Sequence, residues 1–215
     1  MLDNFEFFMI KPIHYDEVLD HLKDNFFYDE PLNRAVGLCS EKGEGHPELE
    51  KHSLATLSDG VSVAVQNSKG EIVGVCLNGF LHPGEVAKAK KSLEKCEDER
   101  FCKIFNLLYE QNLKFDLFEL LDVDRIFEYR ILSVDKNYRG QGLAKKLMQR
   151  SEDVARKFHC KVVKSDATAV GSRFVCLSLG LKPILEIDYK DIEGLNVSQP
   201  HDKLVILYKT LEDKK

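Results

Sequence analysis

The middle of this chain runs from strand to glycine loop to helix without a break, and no other feature restricts its fold so tightly. Ile126 to Val134 reads as a strand, Leu143 to Phe158 as a helix, and Arg139, Gly140, Gln141 and Gly142 stand between them. The first N–H groups of a helix have no intrahelical partner, and the helix dipole adds partial positive charge there. Glycines accept positive φ and let the backbone approach a ligand closely. A strand end, a glycine turn and a helix start therefore predict a cradle for an anion, most naturally a pyrophosphate.

The spacing rules out two common cradles. Nucleotide-binding P-loops need Gly-x-x-x-x-Gly-Lys-Ser/Thr, which does not occur. The dinucleotide fingerprint needs Gly or Ala three residues after the second Gly, and Lys145 stands there. The alternative for such a loop is a plain connecting turn.

The 215 residues suit one domain, read here as residues 1–215 with a core of about 5–211. A 43% hydrophobic and 31% charged content is that of a globular protein. A net charge of −5 argues against nucleic acid as a partner and is compatible with small cationic substrates. The six cysteines include no C-x-x-C pair, and His14, His46, His52 and His201 are too scattered to suggest a metal site. Cys76 and Cys176 lie in apolar runs and read as small core residues. No signal peptide or membrane span is evident, so the expectation is a reduced, cytoplasmic monomer that binds neither membrane nor metal.

Periodicity predicts strands over Glu6–Ile13, Val61–Val65, Glu71–Phe80, Arg125–Val134, Lys161–Ser165, Lys182–Tyr189 and Leu204–Leu211. Helices are expected over Asp16–Phe26, Leu32–Leu38, Pro47–Leu57, Val86–Leu93, Phe101–Leu121, Leu143–Phe158 and Ala169–Leu179. Val18, Leu19, Leu22 and Phe26 mark one buried face, Leu143, Leu147, Val154 and Phe158 another. In the long helix, Ile104, Leu107, Leu108, Leu113 and Phe115 are candidate core residues. The result is α/β: one mixed seven-stranded sheet flanked by helices.

Aligned as Arg-x-x-Gly-x-Gly/Ala, the stretch Arg139-Gly140-Gln141-Gly142-Leu143-Ala144 resembles the acyl-CoA signature of the GCN5-related N-acetyltransferase (GNAT) superfamily. The element order is also that superfamily's. Phe26-Phe27-Tyr28-Asp29-Glu30-Pro31-Leu32-Asn33 and Ile131 to Gly140 further resemble the insect-type arylalkylamine N-acetyltransferases, which acetylate dopamine, serotonin, octopamine and related amines. No His-x-His of the vertebrate branch is present. This resemblance implies the single-domain acyl-CoA N-acyltransferase fold and acetyl-CoA as co-substrate. It implies donor contacts at Leu132, Ser133, Val134, Arg139, Gly140, Gln141, Gly142, Leu143 and Ala144. It also implies Glu30 as general base, with two hydroxyls four residues apart, Thr168 and Ser172, completing the site. That family commonly has Ser at the first of these, and the run Lys164-Ser165-Asp166-Ala167 departs from its pattern.

Acetyl transfer from a thioester requires a neutral amine, a donor for the oxyanion and a proton for the leaving thiolate. Glu30 suits the first task, a backbone N–H where Ile131 to Val134 splays suits the second, and Ser172 suits the third. The plainer readings are a solvated loop acid for Glu30 and helix caps for Thr168 and Ser172. Phe7, Phe8, Phe26 and Phe27 are candidates for an aromatic amine pocket or for core. The leading expectation is acetylation of a small arylalkylamine by direct attack on acetyl-CoA. The alternatives are a polyamine or protein lysine as acceptor, a longer acyl-CoA as donor, or a silent acyl-CoA-binding module.

Overall fold

The computed structural model describes residues 4–211. Seven strands form one sheet: β1 (Glu6–Met9), β2 (Val63–Gln66), β3 (Ile72–Leu81), β4 (Ile126–Val134), β5 (Val162–Ala167), β6 (Lys182–Asp188) and β7 (Lys203–Thr210). Their order is β1-β2-β3-β4-β5-β7-β6. β4 and β5 run parallel and the other neighbours antiparallel. The helices are α1 (Tyr15–Leu22), α2 (Pro31–Val36), α3 (Pro47–Leu57), α4 (Glu85–Ser92), α5 (Glu99–Asn112), α6 (Leu117–Leu121), α7 (Leu143–Lys157) and α8 (Val170–Ser178).

Alternation along the strands distributes the core to two faces. Val63 and Val65 pack with Leu143, Leu147 and Met148 of α7 on one face. Ala64, Val75 and Leu77 turn to the other, against Val18 and Leu22 of α1, Leu57 of α3 and Ile104 and Phe105 of α5. Buried Asn78 on β3 donates to Val61 O at 3.0 Å and to Ser151 Oγ of α7 at 2.9 Å, so its amide is paired inside the core.

Several expected boundaries move, each for a local reason. The first strand stops at Met9, because Pro12 opens a 3-10 turn over Pro12–His14 and leaves Ile13 exposed. α1 ends in a π-helical turn over Lys23–Phe27. Its extra residue sends Phe27 into the core at 0% exposure, where straight helical spacing calls for Phe26. The helix expected over Phe101–Leu121 is two helices. The Asp116 carboxylate accepts from the amides of Phe118 and Glu119 at 2.9 and 3.2 Å, starting α6 afresh, and Leu113 is left exposed. Phe158 is likewise exposed, because α7 ends at Lys157 and its ring lies edge-on to Phe80. β5 runs on to Ala167, paired along its length with β7.

The pairing that matters for the site is between β4 and β5. It joins Phe127, Glu128 and Tyr129 to Val163, Lys164 and Ser165 and goes no further. From Arg130 to Val134, β4 diverges from β5. On its other side β4 carries a bulge against β3, where Leu77 faces Ile131 and Asn78 faces Tyr129, leaving Arg130 as the extra residue.

Candidate active site

The splay between β4 and β5 opens the middle of the sheet, and of the residues expected to act Glu30 and Thr168 lie beside the cavity next to it. Between the sheet and the helices α2 to α5 lies a cavity of about 360 Å³. Its apolar wall includes Leu49, Ile104, Phe105 and Leu108, and Phe26 contributes its ring. Phe27 is core, and Phe7 and Phe8 lie on β1 away from this cavity, so of the four candidate phenylalanines only Phe26 lines it.

Glu30 borders the cavity and is only 8% exposed, which rules out a solvated loop acid. Local chemistry holds it there. Pro31 fixes φ at the first position of α2, and Glu30 is the N-cap, its Oε2 accepting from the Asn33 amide at 2.7 Å. Asn33 in turn donates to Phe27 O at 3.0 Å, tying the cap to the π turn. Oε1 has no hydrogen-bond partner. Burial pushes the Glu30 carboxyl above the usual carboxylate range, against the Asn33 and Leu32 amides and the nearby Thr168 hydroxyl, which favour its anion.

Thr168 lines the same cavity, one residue beyond β5. Its carbonyl accepts from the buried Tyr189 hydroxyl at 2.6 Å. Burial raises the Tyr189 phenol, with the Glu30 charge adding to it, so that hydroxyl keeps its proton. Ser172 does not line the cavity. It lies in the first turn of α8, where its hydroxyl donates to Ala169 O at 2.9 Å. Glu30 and Thr168 are thus brought together, and Ser172 stands apart from them.

The loop expected to cradle an anion has the expected backbone. Gly140 and Gly142 have φ of +81° and +76°. A Cβ at either would meet nothing within 4 Å, so the glycines are required by conformation and not by crowding. Gly142 is the N-cap of α7 and offers no side chain, which leaves the first amides of a 15-residue helix free of a capping partner. Leu143 is 2% exposed, so only its backbone can serve a ligand. Gln141 is exposed and Ala144 half-buried. Arg139 donates from Nε to Val134 O at 3.0 Å and from Nη2 to Asp29 at 3.0 Å. Asp29 precedes Glu30, so this ion pair ties the Glu30 segment to the loop before α7. Val134, Ser133 and Leu132 are the last residues of β4, beyond its pairing with β5. The Ser133 hydroxyl is turned inward, 3.0 Å from Nε2 of buried His21, whose pKa burial lowers to about 4.

Sequence reasoning missed a buried charge cluster on the cavity wall. Lys164, 2% exposed, donates to Glu128 and to Asp166, both at 2.6 Å. Arg130 donates to Glu128 at 3.1 Å and to Phe80 O at 2.9 Å, its guanidinium lying over Gly79 where a Cβ would collide with it. Asn112 donates to Asp166 at 2.6 Å. Burial disfavours the Glu128 anion, yet Lys164 and Arg130 hold its carboxyl down at about 2. Burial pushes Asp166 up, with Lys164 pulling the other way. His52 also lines the cavity, its pKa lowered to about 4 by burial and then by the Arg130 charge, so the ring is neutral. The available signal was the spacing: Glu128-x-Arg130 and Lys164-x-Asp166 put charges two apart in otherwise apolar strands.

The chain matches the Acetyltransferase (GNAT) family over residues 17–172. Among solved structures it is similar to arylalkylamine N-acetyltransferase 2 from Aedes aegypti, with 47% identity and a TM-score of 0.94, covering 97% of this chain and 100% of that one. It shares its fold with the mosquito arylalkylamine N-acetyltransferase like 5b, at 21% identity and a TM-score of 0.88 over 97% and 100% of the two chains. The same fold occurs in a Drosophila melanogaster polyamine N-acetyltransferase that forms N-acetylagmatine, at 19% identity and a TM-score of 0.86, again over 97% and 100%. Among the described residues no helix is long and apolar enough to cross a membrane. With its splayed parallel strand pair, its glycine cradle and its match over most of the chain, this protein belongs to the GNAT family of acetyltransferases.

Proposed function

We propose that the protein transfers acetyl from acetyl-CoA to the amine of a small arylalkylamine, the class named for the 47%-identical Aedes enzyme. One observation carries the reading: Glu30, buried with an unpartnered Oε1, borders a mainly apolar cavity that opens at the splay of β4 and β5.

The donor fits the residues present. Free amides at the start of α7, with Arg139 beside them, suit a pyrophosphate. The unpaired end of β4, Leu132 to Val134, supplies main-chain groups for the arm of the donor and an N–H for the carbonyl oxygen as it gains charge. Acetyl-CoA itself supplies the activated thioester.

The acceptor amine is the harder requirement. An aliphatic amine has a pKa near 10, so only roughly one molecule in 10³ is neutral at pH 7. Glu30 takes the ammonium proton directly or through one water, and its raised pKa brings it nearer the working pH of a general base. The Thr168 hydroxyl steadies the carboxylate form. Ser172 swings from Ala169 O to protonate the departing thiolate. The cavity wall of Leu49, Ile104, Phe105, Leu108 and Phe26 suits an aromatic ring better than a bare polyamine chain.

The test is a thermal-shift titration with acetyl-CoA, followed by thiol release with phenethylamine, agmatine and a lysine peptide in turn. Stabilisation by acetyl-CoA with phenethylamine-dependent thiol release is the expected result. Stabilisation with no thiol release from any amine would leave an acyl-CoA-binding module and overturn the proposal.

A further inference from the structure

Resting on the reading of Glu30 above, we propose that Tyr189 is a positioning residue for acetyl transfer: its hydroxyl holds the main chain of Thr168 and so keeps the Thr168 side chain turned toward Glu30.

Thr168 sits where regular structure does not fix the chain. The last pair between β5 and β7 joins Ala167 to Val205. α8 begins only at Val170, after an Ala169 N-cap that has no capping side chain. What fixes this turn comes from the segment that joins β6 to β7. Tyr189, at the end of β6, donates from its hydroxyl to Thr168 O at 2.6 Å. Beyond Ala169, the Val170 amide donates to Nδ1 of His201, two residues before β7, at 3.3 Å. Holding the Thr168 peptide fixes the frame from which its side chain projects.

Tyr189 is itself anchored. It is 3% exposed and belongs to the same core as Phe27 and Leu32, which lie on either side of Glu30 in the chain. Its amide donates to Asp202 O at 2.9 Å. Phenylalanine would serve that packing as well. A phenol buried this deeply carries a desolvation cost unless its hydroxyl is paired, and the partner here is the Thr168 carbonyl.

Glu30 meets this pair from the cap of α2. The Thr168 hydroxyl is near enough to favour the Glu30 anion, and the Glu30 charge reaches the Tyr189 phenol. A hydroxyl acts on a carboxylate only when its direction is right, so a small turn of the Thr168 peptide weakens the effect. Tyr189 thus acts on Glu30 through Thr168, without touching the substrate.

The experiment measures kcat/KM for phenethylamine from about pH 6 to about pH 9, a range in which a general base shows its titration. It compares wild type, Tyr189→Phe, Thr168→Val and the double variant, with acetyl-CoA affinity followed by thermal shift. Tyr189→Phe removes one oxygen and keeps the ring, and the Val170 bond to His201 still closes the turn, so the fold is retained. The amine's own titration is common to all four proteins, as are Glu85, Glu128, Asp166, Arg130 and His52 in the cavity. Each single variant should lose about two- to tenfold at the acidic end, the worth of one hydrogen bond. Donor affinity should stay within a few fold. The loss should shrink as pH rises, because without the Thr168 hydroxyl the Glu30 carboxyl keeps its proton to higher pH. The double variant should be no worse than either single one. A Tyr189→Phe profile that coincides with wild type or runs parallel to it, losses that multiply in the double variant, or a fall confined to donor affinity would each leave Tyr189 a packing residue and overturn the proposal. None of these would touch the Glu30 reading, which Glu30→Gln tests separately. A wild type that does not acetylate phenethylamine would overturn both.

Discussion

Glu30→Gln replaces one oxygen by an NH₂ group and separates the proposed catalytic role of this residue from its structural one. The Gln carbonyl still accepts from the Asn33 amide, so the cap of α2 and the π turn behind it survive. The proton acceptor is lost. General-base assistance is typically worth about 10²–10⁴ in rate, or roughly 3–5 kcal/mol of barrier. The loss in kcat/KM for phenethylamine should lie in that range at pH 7 and shrink above pH 9, where neutral amine is supplied by the solvent. Stability should move the opposite way. Burial raises the Glu30 pKa, so the native state holds that proton more tightly than the unfolded chain does. Native stability is therefore greatest below the ordinary carboxyl value of about 4.3 and declines as pH rises through it toward the raised native value. Glutamine is exempt from that decline. The variant should melt higher than wild type at pH 8 and level with it near pH 4, the histidine contributions cancelling between the two. Steady-state kinetics and melting curves at both pH values read both effects. A variant with full activity at neutral pH, or one melting below wild type at pH 8, would refute the assignment.

Gly142→Asp forces a side chain into φ +76° and sets a negative charge beside the cradle, so acetyl-CoA affinity should fall at least tenfold, seen as a lost thermal shift. Ser172→Ala should slow single-turnover acetyl transfer by less than Glu30→Gln does, with donor affinity within a few fold, and Thr168→Ala should be milder still. Loss of donor binding with an unchanged chemical step would make Ser172 a donor contact. Leu147→Ala opens a cavity at a fully buried position under the sheet and should cost about 2–5 kcal/mol in denaturant unfolding. Buried His21, with a native pKa of about 4 against 6.5, contributes stability that is complete above pH 6.5 and is lost as pH falls from there toward 4. His21→Gln should flatten the fall in melting temperature across that window, and an unchanged slope would show that His21 is not responsible.

What could be read from the residues was whatever chemistry is local. The cradle was legible because Arg139, Gly140 and Gly142 act through φ and through the start of a helix that follows directly. Glu30 was a candidate through the family resemblance of Asp29-Glu30-Pro31-Leu32, whereas its role as the cap of α2 and its burial, which rests on the π turn at Lys23–Phe27, were not legible. The break between α5 and α6 was missed because the apolar residues around it keep a helical rhythm, and Asp116 overrides that rhythm through two hydrogen bonds. The charge cluster was hidden for a different reason. Glu128 and Lys164 are 36 residues apart and meet only through the parallel pairing of β4 with β5, a register that neither strand states by itself.

The most direct test of an arylalkylamine acetyltransferase built around Glu30 is a competition. Equimolar phenethylamine, tyramine, agmatine and a lysine peptide would be incubated with acetyl-CoA and the enzyme, and the products weighed by mass spectrometry. The expected result is N-acetylated aryl amines as the dominant products, falling away together with Glu30→Gln. Dominant acetylagmatine or acetyl-lysine peptide, or aryl amine products undiminished in that variant, would contradict it.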